Sequence, residues 1–509
     1  MIPAFPSRAV SGRFLPVKRQ LDRHPWLRAV SIWGTGAIVA AQVFLPNLVF
    51  LLLGVLVLGI GLVVSPRNEV TGITILLGFT FMLPANLVIG PLGQAGVPSM
   101  VLALALLLLW FFVRCAPDLG TDRQFQPLRI LAVLAVVSML ASYMSGQVRG
   151  LSGVEASGAN AALLGQGAAL GILLFTADSL RSTAAIRTIL KRVTYGAAFL
   201  AAVASLQFFS IVDLAKLIRL PGFTVHSSTA EFVESRSGFN RVAGLATHPI
   251  EYGVVLSMAL PIAVHLALTA RDQKWVRWLV VLMIAGGIPL SIGRSAVLAS
   301  AVAMSVYLVT LRLRVLANLV PVALAGVVGM QVAVPGLLGS IKSLFTGAGN
   351  DPSIAGRTDD YAAVFVLWRQ HPVFGIGPGT YIPKVYRVLD NEYLYELITV
   401  GVVGATVGLA LFGFGYSLAR RVQRQAVDPE VRGLGQALAG SIAAAAVAAF
   451  TFDALGFAIM FVVTHLMIGC AGALWRTAVR DDPRSARSVS LAARQVSAPG
   501  HLSAAKSTQ

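Results

Sequence analysis

Long apolar runs, parted at short intervals by small clusters of charge, set the pattern of the chain. Runs of about 18 uncharged residues are long enough to cross a hydrocarbon core as a helix. They fall at about 29–45, 47–65, 71–89, 97–113, 129–145, 159–177, 194–212, 251–270, 278–293, 295–311, 315–335, 391–417, 434–452 and 454–475. The runs are continuous rather than alternating, which excludes the strands of a β-barrel. The pattern predicts an all-α, polytopic transmembrane helix bundle of about 14 helices. Pro46 leaves the first two spans open to a second reading, as one re-entrant pair.

Two segments break this rhythm, 213–250 and 336–390. Loops this long among otherwise short connections are usually functional. They divide the chain into a basic tail (1–28), N-terminal spans (29–212), a first loop (213–250), spans with a hairpin around Arg294 (251–335), a large second loop (336–390), C-terminal spans (391–475) and a second tail (476–509). Within the second loop, Thr358 or Asp359 is placed to cap a short helix that runs to about Gln370, where His371-Pro372 stops it. Tyr361, Val364, Phe365 and Trp368 share one face of that helix, which predicts packing on the spans or on the membrane surface.

Composition agrees with this class: 12% of the 509 residues are charged, against about 25% in soluble domains. With the N-terminus inside, 29 of the 40 Lys and Arg residues fall on the cytoplasmic side. That bias orients both loops outward and both termini inward, in the plasma membrane. The net charge of +18 is matched by anionic membrane lipid, so no nucleic-acid partner is expected. Both tails are basic, polar and expected to be disordered. The first span follows a long basic segment without a small-residue cleavage site, unlike a removable signal peptide. Cys115 and Cys470 fall at cytoplasmic ends of spans, where neither a disulfide nor a metal site is expected. There is no Gly-rich phosphate loop and no large cytoplasmic domain, which argues against an ATP-driven pump.

The candidate chemistry clusters at the outer ends of spans. Arg294, in Ser291-Ile292-Gly293-Arg294-Ser295, has about 16 residues on each side before a flanking base, a rise of about 24 Å against about 30 Å of hydrocarbon. It therefore lies at or just below the outer boundary, either paired with an anionic headgroup such as a diphosphate or snorkelling to water. The first loop ends on Arg241, a fork for anions, and on His248 and Glu251 at a helix start. Glu251 there also suits the helix dipole, and His248 reads as readily as an ordinary helix-end residue. In the second loop, Arg357 stands near a helix N-terminus, free to bind phosphate or to pair with Asp359 or Asp360. Asp390-Asn391-Glu392 and Glu396 place three carboxylates at the mouth of the next span, as interfacial charges or as acceptors of a sugar hydroxyl proton.

Taken in order, Arg241-x-x-Gly244 with His248-Pro249, Ser291-x-x-Arg294-Ser295, Gly356-Arg357, His371-Pro372-Val373-Phe374-Gly375-Ile376-Gly377 and Asn391-x9-Gly401-x-x-Gly404 resemble the O-antigen ligase and O-antigen polymerase superfamily of bacterial membrane glycosyltransferases. The resemblance covers about 240–415. It implies a glycan passed from a polyprenyl diphosphate to an acceptor hydroxyl, on a glycan or lipid-linked acceptor, at the outer face of the inner membrane. It also implies arginines that hold the diphosphate, and neither metal nor nucleotide cofactor. It makes Asp390, Arg294 and Arg357 the catalytic candidates, with Arg241, His248, Glu251, His371, Asn391, Glu392 and Glu396 around the substrate. Ligases of the superfamily carry His-Asn before the x9-Gly-x-x-Gly pattern. Here the position is Asp390, a pattern of polymerase-like and exopolysaccharide members, so polymerisation is favoured slightly over ligation. A transporter or flippase of lipid-linked saccharide and a scaffold of a polysaccharide assembly complex are the alternatives. A transporter usually places its charges near the midplane, and a scaffold leaves Arg294 without a role.

Overall fold

The computed structural model describes residues 70–89, 96–115, 126–219, 223–225, 235–236, 239–337, 339, 352–383 and 385–480. The expected spans 29–45 and 47–65, the question at Pro46, and most of both tails lie outside the described residues.

Among the described residues the helices of eight residues or more are α1 (Thr71–Met82), α2 (Pro98–Cys115), α3 (Pro127–Arg149), α4 (Gly153–Ser179), α5 (Thr183–Phe208), α6 (Pro249–Leu268), α7 (Lys274–Gly287), α8 (Arg294–Leu308), α9 (Leu313–Ala333), α10 (Pro352–Trp368), α11 (Glu392–Thr399), α12 (Gly401–Gln425), α13 (Pro429–Ala448) and α14 (Ala458–Trp475). Each predicted span from residue 71 onward meets a helix. Eight helices among the described residues are long and apolar enough to cross a membrane, with shorter apolar ones between them. The chain is a multi-pass membrane protein.

Burial sorts the helices. In α6 and α14, 94% of the apolar window is buried, whereas in α3 it is 22% and in α12 28%. So α6 and α14 form the interior, and α3 and α12 turn apolar faces outward. On α3, Ile130, Val133, Leu134, Val137 and Leu140 are exposed on one side, a stripe that fits lipid rather than water. Close packing rests on small residues. A Cβ on Gly253 would stand 2.5 Å from the Ala296 Cβ, and one on Gly171 2.1 Å from the Ala103 oxygen.

The bundle has two chemically distinct ends. At one, Arg129 pairs with Asp178 at 2.9 Å, and Arg476 donates to the Ala177 and Leu180 oxygens. Arg187 pairs there with Glu430. At the other end the long loops meet. Strand β1 (Leu87–Val88) pairs antiparallel with β2 (Thr224–Val225) in the first loop, and β3 (Ser235–Arg236) with β4 (Phe239–Asn240). The N-termini of α6, α8, α11 and α14 lie at this loop end. Gly253 and Ser257 of α6 touch Ser291 and Ala296 at the start of α8, and Glu251 caps α14.

Three sequence expectations change. The predicted span 391–417 is broken after Thr399, because Gly401 takes φ +67°, open to glycine at little cost. The loop helix α10 begins at Pro352, with Thr358 and Asp359 inside it rather than capping it. Proline suits a first helical position, where its missing N–H has no partner to lose. The helix expected at 71–89 stops at Met82, before Pro84.

Candidate active site

The loop end is organised around the break between α11 and α12. Asn391 caps α11, its side-chain oxygen accepting from the Tyr393 and Leu394 N–H groups at 3.0 and 3.2 Å. The turn 372–377 then docks on the break. Ile376 N donates to the Ile398 oxygen at 2.9 Å, Gly377 N to Thr399 at 3.0 Å, Val402 N to Pro372 at 3.0 Å and Val403 N to Val373 at 3.2 Å. The approach needs glycine on both sides. A Cβ on Gly375 would lie 2.4 Å from the Thr399 carbonyl carbon, and one on Gly401 2.3 Å from the Val373 oxygen. From α3, Ser142 and Ser145 donate to the Thr399 and Gly375 oxygens at 2.9 and 3.0 Å. The His-Pro-Val-Phe-Gly-Ile-Gly and x9-Gly elements are thus one joint, which sets where α11 presents its acids.

Those acids line a cavity of about 740 Å³ between α3, α4, α11, α12, α14 and the start of α6. Glu392 and Glu396 face it from α11, Asp390 from just before the cap, Asp453 from the α13–α14 connection and His248 from the N-cap of α6. Glu392 accepts from Leu455 N at 2.8 Å and shares a hydrogen bond with Asp453. Gly456 leaves room for Asp453, since a Cβ there would stand 2.7 Å from its Oδ2. Gly408 of α12 does the same for Glu396, whose Oε2 would be 2.5 Å from an added Cβ.

Helix α11 and the α13–α14 connection stand outside the membrane-spanning helices. Burial pushes the protons of Glu392, Glu396 and Asp453 to stay on above the usual carboxylate range. The charge of Asp453 adds to the shift of Glu392 and Glu396. Two carboxyl groups that share a hydrogen bond hold one proton between them, and the member that stays ionised can accept a second.

Away from these acids the cavity becomes apolar, lined by Leu131, Ala135, Met139, Leu170, Leu173 and Leu411 among others. Thr464 and His465 face the same space from within α14. Among the described residues the buried Thr464 hydroxyl has no hydrogen-bond partner, and His465 Nδ1 lies 2.8 Å from the Phe461 oxygen.

The arginines stand apart. No Lys or Arg lines the cavity among the described residues. Arg241 is buried, and its Nε donates to the Ser291 oxygen at 3.3 Å. Arg294 is half-buried at the first position of α8, after the left-handed Ile292 (φ +44°). The side chain of Arg357 lies outside the described residues. Asp360, one of its expected partners, pairs with Arg387 at 2.8 Å.

The other candidates divide. His248 lines the cavity and also caps α6, its Nδ1 accepting from Ile250 N at 3.1 Å. Glu251 is fully buried outside the cavity lining, accepting from Thr247, Ile459 and Met460 N at 2.8, 2.8 and 3.3 Å. It ties the starts of α6 and α14 together. Asn391 is taken up by its cap, and His371 stands in the docked turn, half-buried and outside the lining.

Asp453, Thr464 and His465, together with Tyr395 of α11, which also lines the cavity, were missed by sequence reasoning. Two signals were present. Asp453 is a lone acid between two apolar runs, and His465 is an ionisable group inside a span, which is a functional candidate by default. Among the described residues no three His, Cys, Asp or Glu side chains converge as a metal-binding group.

Residues 278–407 match a family described as O-antigen ligase. The segment takes in the Ser291–Ser295 hairpin, Gly356-Arg357, the docked turn and the broken helix. The resemblance read from the sequence is therefore borne out over that stretch, and the match supports an O-antigen ligase-type membrane enzyme of polysaccharide synthesis. A comparison with curated proteins finds no match.

Proposed function

We propose, starting from the match of residues 278–407 to the O-antigen ligase family, that the chain is a glycosyltransferase of cell-surface polysaccharide synthesis. It takes a glycan from a polyprenyl diphosphate and joins it to an acceptor hydroxyl at the outer face of the bacterial inner membrane. Polymerisation is favoured slightly over ligation, because Asp390 precedes Asn391 where ligases carry histidine. The observation that carries the reading is the cavity itself. It joins a head of carboxylates, suited to sugar hydroxyls, to an apolar groove among helices that face lipid.

The reaction is a displacement at the anomeric carbon. The acceptor oxygen bonds to that carbon as its bond to the diphosphate oxygen breaks. The hydroxyl proton passes to a carboxylate of the cavity, Asp390 or the Glu392–Asp453 pair. The diphosphate leaves with both bonding electrons. Arg294 and Arg357, with Arg241 behind the hairpin, balance its charge. Neither step in this account calls on a metal or a nucleotide.

Incubating the purified full chain with a polyprenyl-diphosphate oligosaccharide tests the proposal. A ladder of lengthening products supports polymerisation, and a single transfer to a second acceptor supports ligation. A donor that stays intact under every condition refutes transfer and favours transport or scaffolding.

A further inference from the structure

A second cavity, of about 360 Å³, opens at the opposite end of the bundle, against α5, the α6–α7 connection, α7 and the start of α13. Four cations line it: Arg187 and Lys191 of α5, Arg271 of the connection and Arg277 of α7. The acids there are Asp272 and Glu430, and Glu430 is already paired with Arg187.

Lys191 and Arg277 have no carboxylate within ion-pair distance among the described residues. Both lie instead over the ring of Tyr195, each 5.6 Å from its centroid. Cation–π attraction offsets part of the repulsion between two like charges gathered on one ring, and a bound anion would offset the rest. The hollow is therefore built as an anion site with an excess of positive charge.

Its depth identifies the anion. Trp275, two residues from Arg277 on α7, is 72% exposed, as tryptophans of the headgroup layer are. On the same helix Leu279 and Leu282 are exposed, four and seven residues on, and mark the lipid-facing side. From the hollow, Tyr195 and the exposed Phe199 continue along α5 at four-residue steps, an apolar path toward the bilayer interior. We infer that this cavity binds the phosphate headgroup of an anionic phospholipid, at the end of the protein opposite the carboxylates.

The inference rests on the membrane reading alone and is independent of glycosyl transfer, so it is tested by binding. The full chain, delipidated in detergent, is titrated with phosphatidylglycerol, phosphatidylcholine or inorganic phosphate and read by native mass spectrometry. Phosphatidylglycerol should be retained in preference to phosphatidylcholine. The double variant Lys191→Ala/Arg277→Ala should weaken it by about thirtyfold, from two cations at the surface. Asp272→Asn, in an exposed connection, should tighten it, which loss of structure cannot do. Arg424→Ala, outside the hollow, should leave it unchanged. Equal retention of both lipids, an unaffected double variant, or an equal loss in Arg424→Ala would overturn the site. Binding of inorganic phosphate without preference for the anionic lipid would overturn the lipid assignment.

Discussion

Gly401→Ala should inactivate the enzyme without unfolding it. At φ +67° an alanine costs about 1–2 kcal/mol in backbone strain. Its Cβ would also stand 2.3 Å from the Val373 oxygen and 2.6 Å from Gly375 N. Both are backbone atoms, so no side chain can swing away. Relief requires the turn 372–377 and α11 to part by about 1 Å, which breaks the bonds from Val402 N and Val403 N, each contributing about 1 kcal/mol. The local cost is then about 3–4 kcal/mol, carried by one joint while α6 and α14 keep their packing. A 1 Å displacement of reacting groups lowers rate by about a hundredfold, and α11 carries Glu392 and Glu396. The assay is single-turnover transfer from a polyprenyl-diphosphate oligosaccharide, with thermal unfolding measured in parallel. Gly413→Ala on the same helix, where an added Cβ meets nothing within 4 Å among the described residues, should keep its rate. Wild-type transfer by a folded Gly401→Ala protein would show that the joint does not position the acids.

Arg294→Ala and Arg357→Ala should abolish transfer with membrane insertion intact, and the lysine variants should recover only part, since an ammonium lacks the bidentate fork; near-normal turnover in either alanine variant would return that arginine to a surface role. Asp390→Asn and Asp453→Asn should each lose most activity, by about 10²–10⁴-fold if the group takes the proton, and full activity in one of them assigns the base to the other or to Glu396. Glu251→Gln, by contrast, should lower the unfolding temperature, and a stable but inactive variant would move Glu251 into the chemistry. For the pH dependence, the buried carboxyls keep their protons above the usual range. Stability should therefore be highest below the usual carboxylate range and fall as pH rises from there through the raised folded value, about 8 for Glu396, while transfer, which needs an ionised acceptor, should rise as pH passes that upper value. Glu396→Gln should flatten the stability slope, and an unchanged slope refutes its share. An impermeant thiol reagent applied to intact cells should modify Val385→Cys, 68% exposed in the loop, and spare Cys115; the reverse would invert the orientation.

Much of the bundle was legible because membrane helices are specified by length and apolarity, which need no tertiary knowledge. That is why each span from residue 71 onward meets a helix. The break at Gly401 was not, since its φ follows from the turn 372–377 pressing on it, a contact across some 25 residues of sequence. Glu251 misled for a related reason. A carboxylate near a helix start reads alike whether it faces substrate or, as here, the backbone of a helix some 200 residues away. Asp453 joins Glu392 only through folding, and no spacing rule pairs the two.

Among the described residues no Lys or Arg lines the cavity of the acids, although Arg387 pairs with Asp360 elsewhere at the loop end, and the absence bears on how the proposed reaction would run. A diphosphate among Glu392, Glu396 and Asp453 would meet like charge in a buried place, where repulsion is least screened. The arginines instead begin from the α7–α8 hairpin and from the strand that leads into α6, fastened to each other through the Arg241 to Ser291 bond. His248, at the N-cap of α6, lines the cavity a few residues from Gly253, which packs on Ser291. On the proposed reading the sugar bridges this boundary, with its leaving group toward the hairpin and its attacked face toward the acids. The acids then lose their proton-holding advantage only when an acceptor hydroxyl replaces their mutual hydrogen bond. On that reading a bound glycan excludes water from the cavity, and attack by a sugar hydroxyl is favoured over hydrolysis.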